Sequence, residues 1–139
     1  MTTKRLHLGR SAQTPTLEHP GIVLSAAGSH FSLGDKAAMR IHGCARLAKQ
    51  DRTPEKKELA GGIFIAAVEA FGQVPVCANL IQDHILFEDD VIDAGRDFVI
   101  HFDFNLMESL PIPQAPFTFF VHASFFHHCS NTLIIQLQP

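Results

Sequence analysis

The chain has 139 residues, which suits one domain, and its 46% hydrophobic and 18% charged residues are enough to fill a core. Its net charge of −3 and the lack of a basic stripe argue against nucleic-acid binding, and no run reaches the ~18 apolar residues of a membrane span. The 12 Phe without any Trp or Tyr argue against a carbohydrate platform or a base-stacking surface.

The cysteines and the N-terminus bear on the cellular compartment. The three cysteines, Cys44, Cys77 and Cys129, are an odd number, which excludes a complete disulfide framework. The first 21 residues contain basic side chains but no apolar segment of a secretory signal. These features predict a cytoplasmic protein with reduced thiols.

Residues 1–20 lack hydrophobic periodicity and contain Pro15 and Pro20. Such a terminus is typical of a flexible tail, or of an arm that lies over the domain. Residues 21–139 are then predicted to form a single domain. Residues 21–27 are a short apolar run, which suits its first strand.

Three further segments in the first two thirds of the chain favour strands. Residues 36–48 alternate, and Gly43 and Ala45 on the inner side leave room for Phe rings from across the core. Residues 63–71 are apolar on both sides, which indicates a central strand, with a short buried helix as the alternative. Residues 74–87 form an extended stretch that Pro75 restricts to a strand start or an edge. The charged residues 49–62 between them predict a solvated loop.

The last third of the chain has the clearest alternation. In residues 98–106 the even-numbered positions are apolar and are predicted to face the core. Residues 107–116 contain three Pro and predict a crossing connection. Residues 116–138 then predict a hairpin, in which two alternating strands are joined by the polar loop 127–131.

Seven strand candidates and no convincing long helix predict an all-β fold, a two-sheet antiparallel β-sandwich. The order of long and short connections resembles an immunoglobulin-like Greek key, which implies that 36–48 pairs with 98–106 in one sheet. It also implies that 63–71 lies beside the closing hairpin in the other sheet. The Cys–Trp–Cys signature and the tyrosine corner of antibody domains are absent, so the resemblance is one of architecture. A jelly roll or a distorted barrel is the alternative.

Nine His raise the question of metal binding. At the hairpin tip, His127, His128 and Cys129 could supply ligands to zinc or copper, whereas a plain polar turn explains the same residues without a metal. A second cluster arises if 36–48 and 98–106 are neighbours. His42 and Cys44 would then share an outer face with His101 and Asp103, with a polar sheet surface as the simpler interpretation.

The hairpin also offers a candidate contact surface. Phe120 and Phe126 are predicted on the side of its first strand away from the core, with His122 between them. Exposed Phe side chains in a row usually mark a contact surface, although both sides of the strand could instead be buried. No catalytic motif is recognisable, and no cofactor is expected apart from a possible metal. The sequence therefore predicts a non-enzymatic binding module, with a homo-oligomer or another protein as its partner.

Overall fold

The computed structural model describes residues 6–9, 11–32, 39–49, 63–69, 76–79, 91–106 and 118–138. Within these ranges the chain forms eleven β-strands. They are β1 (Leu6–Leu8), β2 (Gly21–Ala26), β3 (His30–Ser32), β4 (Arg40–Ala48), β5 (Ile63–Glu69), β6 (Val76–Asn79), β7 (Ile92–Asp93), β8 (Asp97–Asn105), β9 (Thr118–Phe125), β10 (His128–Cys129) and β11 (Leu133–Gln138).

The strands form two packed sheets, so the predicted β-sandwich is confirmed. The first sheet, sheet A, has the order β1-β8-β4-β2, and β7 pairs with β8. The second, sheet B, has the order β3-β11-β9-β5-β6, and β10 pairs with β9. The predicted pairings of 36–48 with 98–106, and of 63–71 with the hairpin, are both confirmed as β4–β8 and β5–β9.

Two details differ from the prediction of a purely antiparallel fold with seven strands. β11 runs parallel to β3, while the other described pairings are antiparallel. The strands β1, β3, β7 and β10 have two or three residues each, too few for an alternating pattern to be recognisable. The predicted segments 49–62 and 107–116 lie outside the described residues, apart from Lys49. Of the predicted extended stretch 74–87, residues 76–79 form β6 at the edge of sheet B, and the rest lies outside the described residues.

The core lies between the sheets and is built from the alternating positions that the sequence indicates. Its fully buried large side chains are Leu24, Met39, Ile41, Ile63, Ile65, Ile100, Phe102, Phe104, Leu106, Phe125 and Ile135. Residues 63–69 are a strand rather than the alternative helix. This core holds both sheets rigidly enough for their outer faces to serve as defined surfaces.

Gly43 is needed for packing within sheet A. It pairs with Phe102 of β8, and a Cβ added to Gly43 would collide with the Phe102 ring. The space beside Gly43 is thus taken by a ring of the neighbouring strand, where the sequence had pointed to rings from across the core. A side chain at position 43 would force this buried ring to move.

The N-terminal residues are in contact with sheet A. Leu6–Leu8 pair with Phe102–Phe104, and Gly9 N donates a hydrogen bond of 2.9 Å to His101 O. Gly9 has φ 125°, a backbone conformation that favours glycine. In the described part of this segment the structure therefore shows the arm alternative. Whether the first residues are flexible stays a prediction.

Candidate functional site

The outer face of sheet B carries most of the exposed apolar side chains of the described chain. The strand register places Ile134, Phe120 and Val68 side by side in one row across β11, β9 and β5. Ala66 pairs with His122 in the next row, and Phe64 pairs with Ser124 in the row after that. We call this surface the apolar face and define it by Phe64, Ala66, Val68, Phe120, His122 and Ile134.

The apolar face is open to solvent. Ile134 is 49% exposed, Phe64 46% and Phe120 36%, whereas the adjacent Ile135, Ile65 and Phe119 on the inner side are at most 3% exposed. A run of large apolar side chains from three adjacent strands differs from singly scattered surface residues, which need no explanation. None of the six residues carries a formal charge when His122 is neutral, so the face is both apolar and uncharged.

Sequence reasoning found Phe120 and His122 but missed Phe64, Val68 and Ile134. Phe64 and Val68 could have been found, because residues 63–71 are apolar on both sides and were predicted to lie beside the hairpin. Ile134 could have been found, because it is an apolar residue among the polar outer positions of β11. The use of Phe120, His122 and Phe126 as interaction residues stays a prediction.

Phe126 lies in the turn and not on the face of β9. β9 ends at Phe125, which pairs with His128, so Phe126 and His127 form the two-residue connection of the hairpin. The predicted loop 127–131 is therefore wrong in its position. Phe126 adopts φ 54°, a left-handed conformation that is unusual for an aromatic residue, and it is 44% exposed. Its ring packs edge-on against Phe125 at 4.9 Å between centroids.

The second strand of the hairpin contains a β-bulge. Cys129 pairs with Ser124 and Leu133 pairs with Val121, so the residues 130–132 lie opposite only two residues, His122 and Ala123. The extra residue lets Asn131 turn towards sheet A. Its amide makes two hydrogen bonds of 2.9 Å with the backbone of Leu24, donating from Nδ2 to the carbonyl and accepting at Oδ1 from the N–H.

The candidate metal ligands at the hairpin tip are close in sequence, but the strand register places His128 and Cys129 on opposite faces of β10. The His127 and His128 rings lie 4.0 Å apart between centroids. Cys129 is exposed and shares a row with Ser124, whereas His128 shares a row with the buried Phe125. Successive residues of a strand point to opposite faces. Burial lowers the pKa of His128, and the neighbouring His127 lowers it further.

The second predicted cluster lies on the outer face of sheet A, and here the register is as required. His42 pairs directly with Asp103, and Cys44 pairs directly with His101. Asp103 is 3% exposed and accepts a hydrogen bond of 2.5 Å from Arg40 Nε, with Arg40 Nη2 also in contact. Burial lowers the pKa of His42, Asp103 opposes this shift, and Arg40 adds to it.

Residues 11–17, here called the N-terminal strap, pass over this face of sheet A. Ser11 Oγ lies 3.4 Å from His42 Nδ1, and Arg46 Nη1 donates a 2.8 Å hydrogen bond to Leu17 O. Ser11 N donates to Thr14 Oγ1 at 2.8 Å, and Thr14 itself is buried. Cys44 is 1% exposed although it lies on the outer side of the sheet. The strap therefore contacts the second cluster at His42.

Among the described residues, no group of three or more His, Cys, Asp or Glu side chains is arranged to hold a metal ion. The described part of the chain also contains no helix long and apolar enough to cross a membrane. The assignments of His127, His128 and Cys129 as metal ligands stay predictions.

Comparison with known proteins gives no identification. No protein-family model matches the chain, and no curated protein matches it significantly.

Proposed function

We propose that this protein is a non-enzymatic β-sandwich interaction module that forms a homodimer through the apolar face. The observation that carries the proposal is the row Ile134–Phe120–Val68, with the exposed Phe64 beside it. Uncovered apolar surface of this kind, presented by the rigid central strands of a sheet, is typical of protein contact surfaces.

A second copy of the chain is the partner that fits this face best. In a twofold-symmetric dimer the same patch meets itself, so any charge in the patch would be repeated against its own copy. Apart from His122, which is uncharged in its neutral form, the apolar face has no acidic or basic residue that would be repelled in this way. Homodimer interfaces are also the most apolar class of protein interface, and this face is apolar apart from His122.

The test measures self-association by sedimentation velocity between about 1 and 500 μM, since a few half-exposed side chains worth roughly 1 kcal/mol each support only a modest affinity. Ile134→Asp and Phe120→Asp should each shift the protein to monomer while the fold stays intact, because a carboxylate would be buried without a partner.

The matched control is Ile92→Asp. Ile92 is 44% exposed, close to the 49% of Ile134, but it lies in β7 of sheet A and outside the apolar face. It should leave the association constant unchanged. A monomeric wild type over the whole concentration range, or equal weakening by Ile92→Asp and Ile134→Asp, would contradict the proposal.

The finer features of the proposal are an immunoglobulin-like connection of the strands and a cytoplasmic location with reduced thiols. The odd number of cysteines, which cannot all be paired in disulfides within one chain, supports the location. The succession of long and short connections supports the Greek key. Cell fractionation with a tagged form of the protein tests the cytoplasmic location.

Metal binding at the hairpin tip is the second candidate function, favoured by the two imidazoles that lie 4.0 Å apart. Zinc or copper would be held by the imidazoles of His127 and His128, while the predicted third ligand, Cys129, lies on the other side of β10 from His128. Elemental analysis after dialysis should then find metal in the wild type and none in His127→Ala/His128→Ala. The control is His30→Ala, an exposed histidine of β3. Metal retained by the double variant would eliminate this site.

A further inference from the structure

His122 is the one ionisable member of the apolar face. It lies on β9, the middle strand of sheet B, with Phe120 and Ser124 as the nearest residues on the same side of its strand. Ala66 is its direct neighbour on β5. In a dimer that buries this face, His122 would therefore be enclosed mainly by apolar side chains.

The described strands around His122 supply no carboxylate to pair with a charged imidazole. β5 presents Phe64, Ala66 and Val68 to this face, and β11 presents Ile134. The thiol of Cys129 lies in the row of Ser124, and His30 lies beside Gln136 on the far strand β3. Glu69 of β5 pairs with Phe119, whose row faces the core. Cys77 of β6 pairs with Ala66 and so shares the row of His122. None of these groups is a carboxylate that faces His122.

We infer that self-association is controlled by pH, with His122 buried uncharged in the dimer and the dimer dissociating when His122 takes up a proton. This inference rests on the proposed function, because it needs the apolar face to be the dimer interface. Imidazole side chains change their charge between about pH 5 and 8, so the switch would operate in a physiological range.

The twofold symmetry makes the expected dependence steep. Each dimer buries two copies of His122, and an imidazolium enclosed by apolar groups without a counter-charge is strongly disfavoured. If only the uncharged form dimerises, both monomers must release a proton on association. Linkage then gives a dissociation constant that rises by up to about 100-fold for each unit of falling pH at the acidic limit.

The experiment is sedimentation velocity of the wild type at pH 7.5, 6.5 and 5.5, with far-UV circular dichroism at each pH to verify the fold. The dissociation constant should rise at least about tenfold between pH 7.5 and 5.5. His122→Gln, which stays uncharged, should remove this dependence. His30→Gln, at the exposed edge of β3, should retain it.

A third variant tests the inference at one pH, where acid effects on the rest of the fold are absent. His122→Lys carries a permanent charge and should be monomeric at pH 7.5. A dimeric His122→Lys, a flat wild-type profile, or a slope that persists in His122→Gln would overturn the inference and leave the dimer itself in place. A wild type without self-association at any pH would instead overturn the proposed function.

Discussion

The outer faces of the two sheets differ in what covers them. On sheet A, the N-terminal strap contacts β4 and β2, and the ion pairs Arg40–Asp103 and Arg46–Asp97 line the surface. On sheet B, no described segment covers Phe120 and Ile134. One sheet thus has an outer layer from its own chain, whereas the other presents an apolar layer without such a cover.

This difference has a consequence for how substitutions should act. A polar face that is covered within the same chain contributes to folding, so changes there should appear in the free energy of unfolding. A solvent-exposed apolar face contributes little to folding, so changes there should appear in association. The following predictions test the first half of this comparison, while the variants of Phe120, Ile134 and His122 test the second.

The largest effect is expected for Asp103→Ala. This carboxylate is almost completely buried and bonded to Arg40, so its loss should lower the free energy of unfolding by about 2–3 kcal/mol. Asp93→Ala is the control, since Asp93 contacts Lys49 at 2.5 Å in an exposed pair and should cost about 1 kcal/mol or less. Urea unfolding of both variants gives the comparison, and similar losses would argue against a structural role of the covered face.

A smaller effect is expected in the strap itself. Thr14→Val keeps the shape of the side chain but removes the acceptor of the 2.8 Å bond from Ser11 N, which should cost about 1 kcal/mol. Thr16→Val, at an exposed position of the same segment, should change stability by less than about 0.5 kcal/mol. The midpoints of thermal unfolding of the two variants measure this difference. Indistinguishable midpoints would mean that the strap does not stabilise the fold.

The smallest effect concerns pH. Burial lowers the pKa of His42 in the folded protein, so the unfolded chain binds a proton more readily. The contribution of His42 is therefore complete above about pH 6.5 and is lost as the pH falls through the lower folded value. His42→Gln should show a shallower loss of stability between pH 7 and 5 than the wild type. The pKa of His128 is also lowered, so the stability of His42→Gln should still decrease somewhat as the pH falls.

The sandwich was predictable because alternating segments such as 98–106 identify both a strand and the side that is buried. His42 and Asp103 were predicted to share a face only if their two strands were neighbours in a suitable register. The sequence of one strand does not determine that register, and a shift of one residue would reverse the faces. The turn at Phe126 was missed because an aromatic residue at positive φ violates the usual turn preferences. Phe64 and Ile134 lie on the same face as Phe120 because β5, β9 and β11 pair in this register. The local sequence pattern of each strand does not indicate this pairing.

The pairing of β3 with β11 has a consequence for the order of folding events. His30 pairs with Gln136, which is 106 positions further along the chain, whereas only two residues separate the paired Phe125 and His128 of the hairpin. Closing so long a loop costs entropy before the contact stabilises anything, so we expect the hairpin to form early and the β3 edge to join late. In refolding kinetics, Phe31→Ala should then mainly accelerate unfolding and leave the refolding rate almost unchanged.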